Sequence, residues 1–146
     1  MPVTDVLCDA SIVLKWFHDK GEQEVEEART LLAAHHAGRL TAWILDLTFY
    51  EIGNVLLRAL AWPAKDVADQ LDDLRAICGS LSPSGADLRS AAALAVRHKL
   101  TFYDAVYAAT AQARGASFAT ADGKLLDSGT GHAPAEIMRL LGLSSA

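Results

Sequence analysis

Four acidic residues, Asp9, Glu51, Asp104 and Asp122, stand where carboxylates could act together. They close the stretches VLCD, LTFYE, LTFYD and TAD, each of which ends a β-rich run or opens a helical one. Carboxylates gathered at close range cannot all stay ionised without a counter-charge. A divalent cation supplies it. All-oxygen ligation suits Mg²⁺ or Mn²⁺ and gives no reason to propose zinc or copper. Such an ion lowers the pKa of a bound water and stabilises a phosphoryl transition state. It also bridges negative phosphates to negative side chains.

The same acids have a purely structural reading. Thr48-x-x-Glu51 and Thr101-x-x-Asp104 carry capping-box spacing, in which a Thr hydroxyl accepts from the backbone N–H three residues on. Asp9 and Asp122 can each cap a following short helix. The twin LTFY is not an internal repeat, because IGNVLLRAL and AVYAATAQA diverge directly after the acid. Capping leaves one feature unexplained. Glu51 lies on a seam with Thr48, Asn54, Val55 and Arg58, on a helix otherwise apolar nearly all round. That composition predicts a buried helix whose polar seam needs partners. Asp104 shares its face with Tyr107, Ala108 and Ala111, and the alanines permit close packing. A carboxylate folded onto its own cap is not free to face a metal. The expectation is therefore that Thr48 and Thr101 cap alone, while Glu51 and Asp104 face the ion.

The elements that must position these residues follow from the pattern along the chain. Strands are expected at 3–8, 41–45, 78–82 and 116–120. Helices are expected at 11–17, 22–37, 48–61, 64–77, 85–98 and 102–114, with a short one near Asp122. Acids in the first turns of 22–37 and Gly38 beyond its end fit helix polarity. Pro63 suits the start of the helix that follows it. Residues 127–134, DSGTGHAP, read as a loop, and 136–143 fits helix and strand equally. Short strands alternating with longer helices predict an α/β three-layer sandwich with a central, mainly parallel sheet. Ligands of such sheets bind outside the carboxyl ends of the strands. Asp9 and Asp122 directly follow strands. Glu51 and Asp104 open helices whose N-termini lie at the same edge.

The 146 residues are expected to form one domain, 1–146. With 51% hydrophobic and 21% charged residues, the chain reads as globular with a full core. No apolar run reaches the roughly 18 residues of a membrane span. The start, MPVTDVLCD, lacks signal-peptide character, so the expected location is the cytoplasm. Cys8 and Cys78 have no CxxC spacing and read as buried, reduced thiols. A net charge of −5 argues against a broad basic nucleic-acid face, although an acid cluster holding cations gives the same balance.

VLCDASIVLKW, LTFYEIGNVLLRAL, LTFYDAVYAATA and FATADGKLL together resemble the four motif blocks of PIN-domain ribonucleases, in particular toxins of the VapC type. The resemblance runs from about 3 to 127, in the family's order and spacing. It implies a PIN-like fold and metal-dependent cleavage of RNA. It places Asp9, Glu51, Asp104 and Asp122 on the metal-site positions. It puts Ser11, Asn54 and Thr120 where waters or carboxylates are oriented. A homodimer and a small antitoxin that blocks the site are further implications. Lys15, Arg58 and Lys124 are candidates for contacting RNA phosphate.

Other signals carry less. His18, His35, His36, His98 and His132 show no ligand spacing, and Ser128-Gly129-Thr130-Gly131 reads as a flexible loop rather than a phosphate cradle. Asp46 reads as a helix cap. Trp43 and Trp62 read as packing residues before base-stacking ones. Asp9-Ala10-Ser11 departs from the Asp-x-Asp of haloacid-type phosphatases. A phospho-receiver would need an early acid pair and a Lys after a late strand, where this chain has Asp122. The remaining alternative is a catalytically silent PIN-fold module that binds RNA or a protein partner.

Overall fold

Val6, Cys8, Ala42 and Ile44 face one side of a sheet, and Leu7, Leu45 and Phe118 face the other. The two-residue period of a strand produces this division. The computed structural model describes residues 3–143. Strands β1 (Asp5–Cys8), β2 (Thr41–Leu45), β3 (Gly79–Leu81) and β4 (Ser117–Ala119) form one sheet in the order β3-β2-β1-β4. Every pairing is parallel, with Val6 opposite Ala42, Leu7 opposite Phe118 and Trp43 opposite Gly79. The sheet is thus wholly rather than mainly parallel among the described residues.

Among the described residues eight α-helices flank it: α1 (Ala10–Phe17), α2 (Val25–His36), α3 (Asp46–Asn54), α4 (Ala64–Ile77), α5 (Gly85–His98), α6 (Phe102–Arg114), α7 (Gly123–Asp127) and α8 (Pro134–Leu140). One core joins α1–α4 and α8 to the first sheet face, and a second joins α5–α7 to the opposite face. The chain builds β1, β2 and β3 outward on one side. It then returns through α5 and α6 on the other side to set β4 beside β1. The winding direction therefore reverses between β1 and β4, where open α/β sheets leave a crevice.

Helices α4, α5 and α6 occupy the spans expected of them. Ser84 and Asp87 form a reciprocal capping box on α5. Thr101 caps α6, and Gly115 ends it in the left-handed region at φ 65°. The stretch expected to be helix or strand after 134 is α8, with Pro134 in its first turn. The segment read as a loop makes one parallel bridge to β4. His132 N–H donates to the Phe118 carbonyl at 2.8 Å, and Thr120 N–H to the His132 carbonyl at 3.0 Å.

Helix α3 departs from expectation. It begins at Asp46, so Leu45 is the cap, Thr48 is the third helical residue and Glu51 lies in the second turn. Thr48 reaches backward instead of capping from in front: its Oγ1 accepts the Leu45 N–H at 3.1 Å. Asp46 stands at the first helical position, where its Oδ1 accepts the Leu47 N–H at 2.8 Å. Residues 55–59 widen into a π-helical turn. The helix is also not buried all round. Tyr50 is 73% and Leu57 49% exposed, because only the side carrying Thr48, Ile52, Gly53 and Leu56 packs inward. Cys8 and Cys78 are buried and unpaired. No helix among the described residues is long and apolar enough to cross a membrane.

Candidate active site at the β1–β4 crevice

Asp9 leaves the carboxyl end of β1 and is 5% exposed. Four donors fix its carboxylate. Oδ1 accepts from Ser11 N at 3.0 Å, Ser11 Oγ at 2.5 Å and Ile12 N at 3.3 Å. Oδ2 accepts from Thr120 Oγ1 at 2.5 Å. Both hydroxyls also grip the chain leaving β4: Ser11 Oγ accepts the Ala121 N–H at 2.9 Å, and Thr120 Oγ1 the Asp122 N–H at 3.0 Å. Ser11 and Thr120 thus clamp Asp9 against the β4–α7 connection.

Asp9 and Asp122 are also helix caps. Asp122 Oδ1 accepts from Lys124 N at 2.9 Å and Leu125 N at 3.3 Å. For Asp122 capping leaves the second carboxylate oxygen open, whereas both Asp9 oxygens are engaged. Asp122 Oδ2 and Glu51 Oε2 accept no hydrogen bond among the described residues. Thr101 Oγ1 accepts the Asp104 N–H at 3.1 Å, so Thr101 caps α6 without Asp104 folding back onto the cap.

Asp104 joins the four acids electrostatically, since its charge acts on Asp9 and Glu51 and feels that of Asp122. Burial raises the Asp9 pKa to about 6, against the opposing hydrogen bonds from Ser11, Thr120 and Ile12, with a further upward push from Asp104. Burial likewise raises Glu51, opposed by Tyr107 and reinforced by Asp104. Asp104 is raised by burial and then by Asp122, and lowered by the Thr101 hydroxyl and the Lys124 charge.

The donor set is all oxygen, and its mutual repulsion calls for a cation. Among the described residues, however, no three Asp, Glu, His or Cys side chains are placed to enclose one ion. The acids share a neighbourhood without forming a closed cage, since Asp9 and Asp122 remain tied to their own donors.

The remaining candidates divide. Asn54 is exposed and makes no hydrogen bond among the described residues, so the seam does not tie it to the acids. Lys15 is not a surface cation: its side chain is 8% exposed and pairs with Glu22 at 3.0 Å. Arg58 is exposed on the π-helical turn, and Lys124 is exposed beside Asp104. Trp43 packs, donating to Asp5 Oδ1 at 3.0 Å. Sequence reasoning missed Tyr107, whose hydroxyl donates to Glu51 Oε1 at 2.6 Å. The sequence sets it on the face of Asp104, and nothing in the spacing ties it to Glu51. Its phenol oxygen was the one available hint, because a buried hydroxyl needs a partner. A hollow of about 740 Å³ between α2 and α8 includes none of the four acids. The acids lie instead at the carboxyl end of the parallel sheet.

Residues 6–128 match the PIN domain family. The chain belongs to that family. PIN domains are generally metal-dependent nucleases, and their parallel three-layer architecture is the one described above. Among solved structures, PAE2754 from Pyrobaculum aerophilum is 26% identical, with a TM-score of 0.69 over 97% of each chain. A toxin–antitoxin complex from Klebsiella pneumoniae is 18% identical, with a TM-score of 0.67 over 88% of this chain and 97% of that one. At that identity the second likeness is one of fold. No curated protein matches this PIN domain.

Proposed function

We propose that this PIN domain, taken as a single domain over 1–146, is an endoribonuclease dependent on Mg²⁺ or Mn²⁺ and the toxin of a VapBC-type pair. The observation that supports the nuclease reading is that Asp9 and Asp122 directly follow β1 and β4, while Glu51 lies in the second turn of α3 and Asp104 in the first turn of α6, at the same end of the parallel sheet. Asp9, Asp104 and Asp122, with Glu51, would hold the ion directly or through water. When bound, such an ion supplies an activated water and neutralises charge on the phosphate. The chain's own part is orientation. Ser11 and Thr120 hold Asp9 in one pose, and the exposed Lys124 and Arg58 would offer positive charge to the RNA backbone.

The toxin reading rests on the motif resemblance and on the architecture shared with a chain from a toxin–antitoxin complex. With it come a small antitoxin partner, a homodimer and a cytoplasmic location. The test is cleavage of total RNA with Mg²⁺ or Mn²⁺. Cleavage that EDTA stops supports the nuclease, and growth arrest relieved by a co-expressed small partner supports the toxin. Metal-independent cleavage, or none, contradicts the first. Harmless expression of an active enzyme contradicts the second alone. One observation favours the silent-module reading, namely that no three acids enclose an ion. RNA or partner binding without cleavage would establish it.

A further inference from the structure

Tyr107 is 1% exposed, and its ring stacks on Phe118 of β4 at 5.9 Å between centroids and 4° between planes. Packing alone would be served by Phe. The hydroxyl instead crosses from α6 to α3, where it lies 2.6 Å from Glu51 Oε1 and 2.6 Å from Thr48 Oγ1. A carboxylate only accepts, so the phenol proton goes to Glu51, and the Thr48 proton is left to point at the phenol oxygen. Thr48 Oγ1 in turn accepts the Leu45 N–H at 3.1 Å. The result is a one-way chain, Leu45 N–H to Thr48 to Tyr107 to Glu51, in which each bond polarises the next. It joins the helices of the two LTFY stretches, starts at the end of β2 and finishes on an acid of the site.

We propose that Tyr107, backed by Thr48, is a positioning residue for Glu51. It fixes Oε1 and leaves Oε2 as the oxygen offered to the metal and its waters. This rests on the metal-site reading above. It assigns to Tyr107 and Thr48 a role that neither a core tyrosine nor a helix cap would have.

The test is Mn²⁺ binding by calorimetry on the full chain, with folding checked by circular dichroism. Tyr107→Phe keeps the ring and its stacking, and should weaken Mn²⁺ binding by about 10- to 100-fold, as loss of a ligand's hydrogen-bond partner typically does. Thr48→Val should weaken it in the same direction, and Thr48→Ser should restore it. In a Glu51→Ala background, Tyr107→Phe should change affinity less than about twofold, because its effect runs through Glu51. Unchanged affinity in folded Tyr107→Phe overturns the assignment, as does an equal loss in both backgrounds. A wild-type chain that takes up no Mn²⁺ fails earlier, at the metal-site reading, and removes this role with it.

Discussion

Thr120 Oγ1 donates to Asp9 Oδ2 at 2.5 Å while accepting the Asp122 N–H, so one hydroxyl sets the two strand-end acids against each other. Thr120→Val keeps the shape and removes the link. A buried carboxylate oxygen and a part-buried N–H then lose their partner, which should cost about 1–3 kcal/mol in urea unfolding. RNA cleavage should fall about 10- to 100-fold. A variant as stable and as active as wild type would show that the link is incidental.

Gly131 should be nearly as sensitive, although it lies outside every motif block. A Cβ there would come within 2.6 Å of Thr120 Cγ2 and 3.2 Å of Phe118 Cδ2. Gly131→Ala must push Thr120 or move the segment bridged to β4, at about 1–3 kcal/mol. We expect lower stability together with weaker cleavage. Lost stability with unchanged activity per folded molecule would confine the effect to packing.

Burial makes Asp9 bind its proton more tightly folded, with a pKa of about 6, than unfolded, near 3.8. In the range between those values the folded state holds more protons, so metal-free stability falls as pH rises. The stabilisation is full below the unfolded value and gone above about pH 6, at a cost of order 3 kcal/mol. Glu51 and Asp104 act in the same direction. In EDTA, unfolding should show lower stability at pH 7.5 than at pH 5, and Asp9→Asn should flatten the slope. Added Mn²⁺ should raise the melting temperature more at pH 7.5. A flat profile for the metal-free wild type would contradict the burial argument.

The two lysines near the site should separate. Lys15 is sealed against Glu22, so Lys15→Ala leaves a part-buried acid without its partner and should mainly lower stability. Lys124 is exposed beside Asp104, so Lys124→Ala should mainly raise KM for RNA and reduce the salt dependence of binding. Interchanged effects would reverse these assignments.

What the sequence disclosed follows from which signals are local. Helices α4, α5 and α6 were legible because Pro63, Thr101 and Gly115 punctuate them and their apolar stripes are regular. The placing of the acids at one sheet edge was legible from alternation alone, since parallel topology sends strand ends and helix starts to the same side. The start of α3 was not legible. Thr48 looks like a cap from either direction, and the choice depends on where β2 releases the chain. A turn of π-helix leaves no mark on a 3.6-residue pattern. The apolar Tyr50 and Leu57 suggested burial, yet composition does not say which side of a helix meets the sheet. Two side chains have partners that spacing does not reveal: Tyr107, set on the face of Asp104, donates to Glu51 on another helix, and Lys15, taken as a candidate for RNA phosphate, is sealed by Glu22.

The central claim, that the coupled acids at the β1–β4 crevice cleave RNA with a divalent ion, is tested most directly by comparing wild type with Asp9→Asn and Asp104→Asn. The measurement is the cleavage rate of total RNA in Mn²⁺, with folding checked by circular dichroism. The expected result is cleavage by wild type that EDTA abolishes, and none by either folded variant. Undiminished cleavage by both folded variants would contradict the assignment of this site.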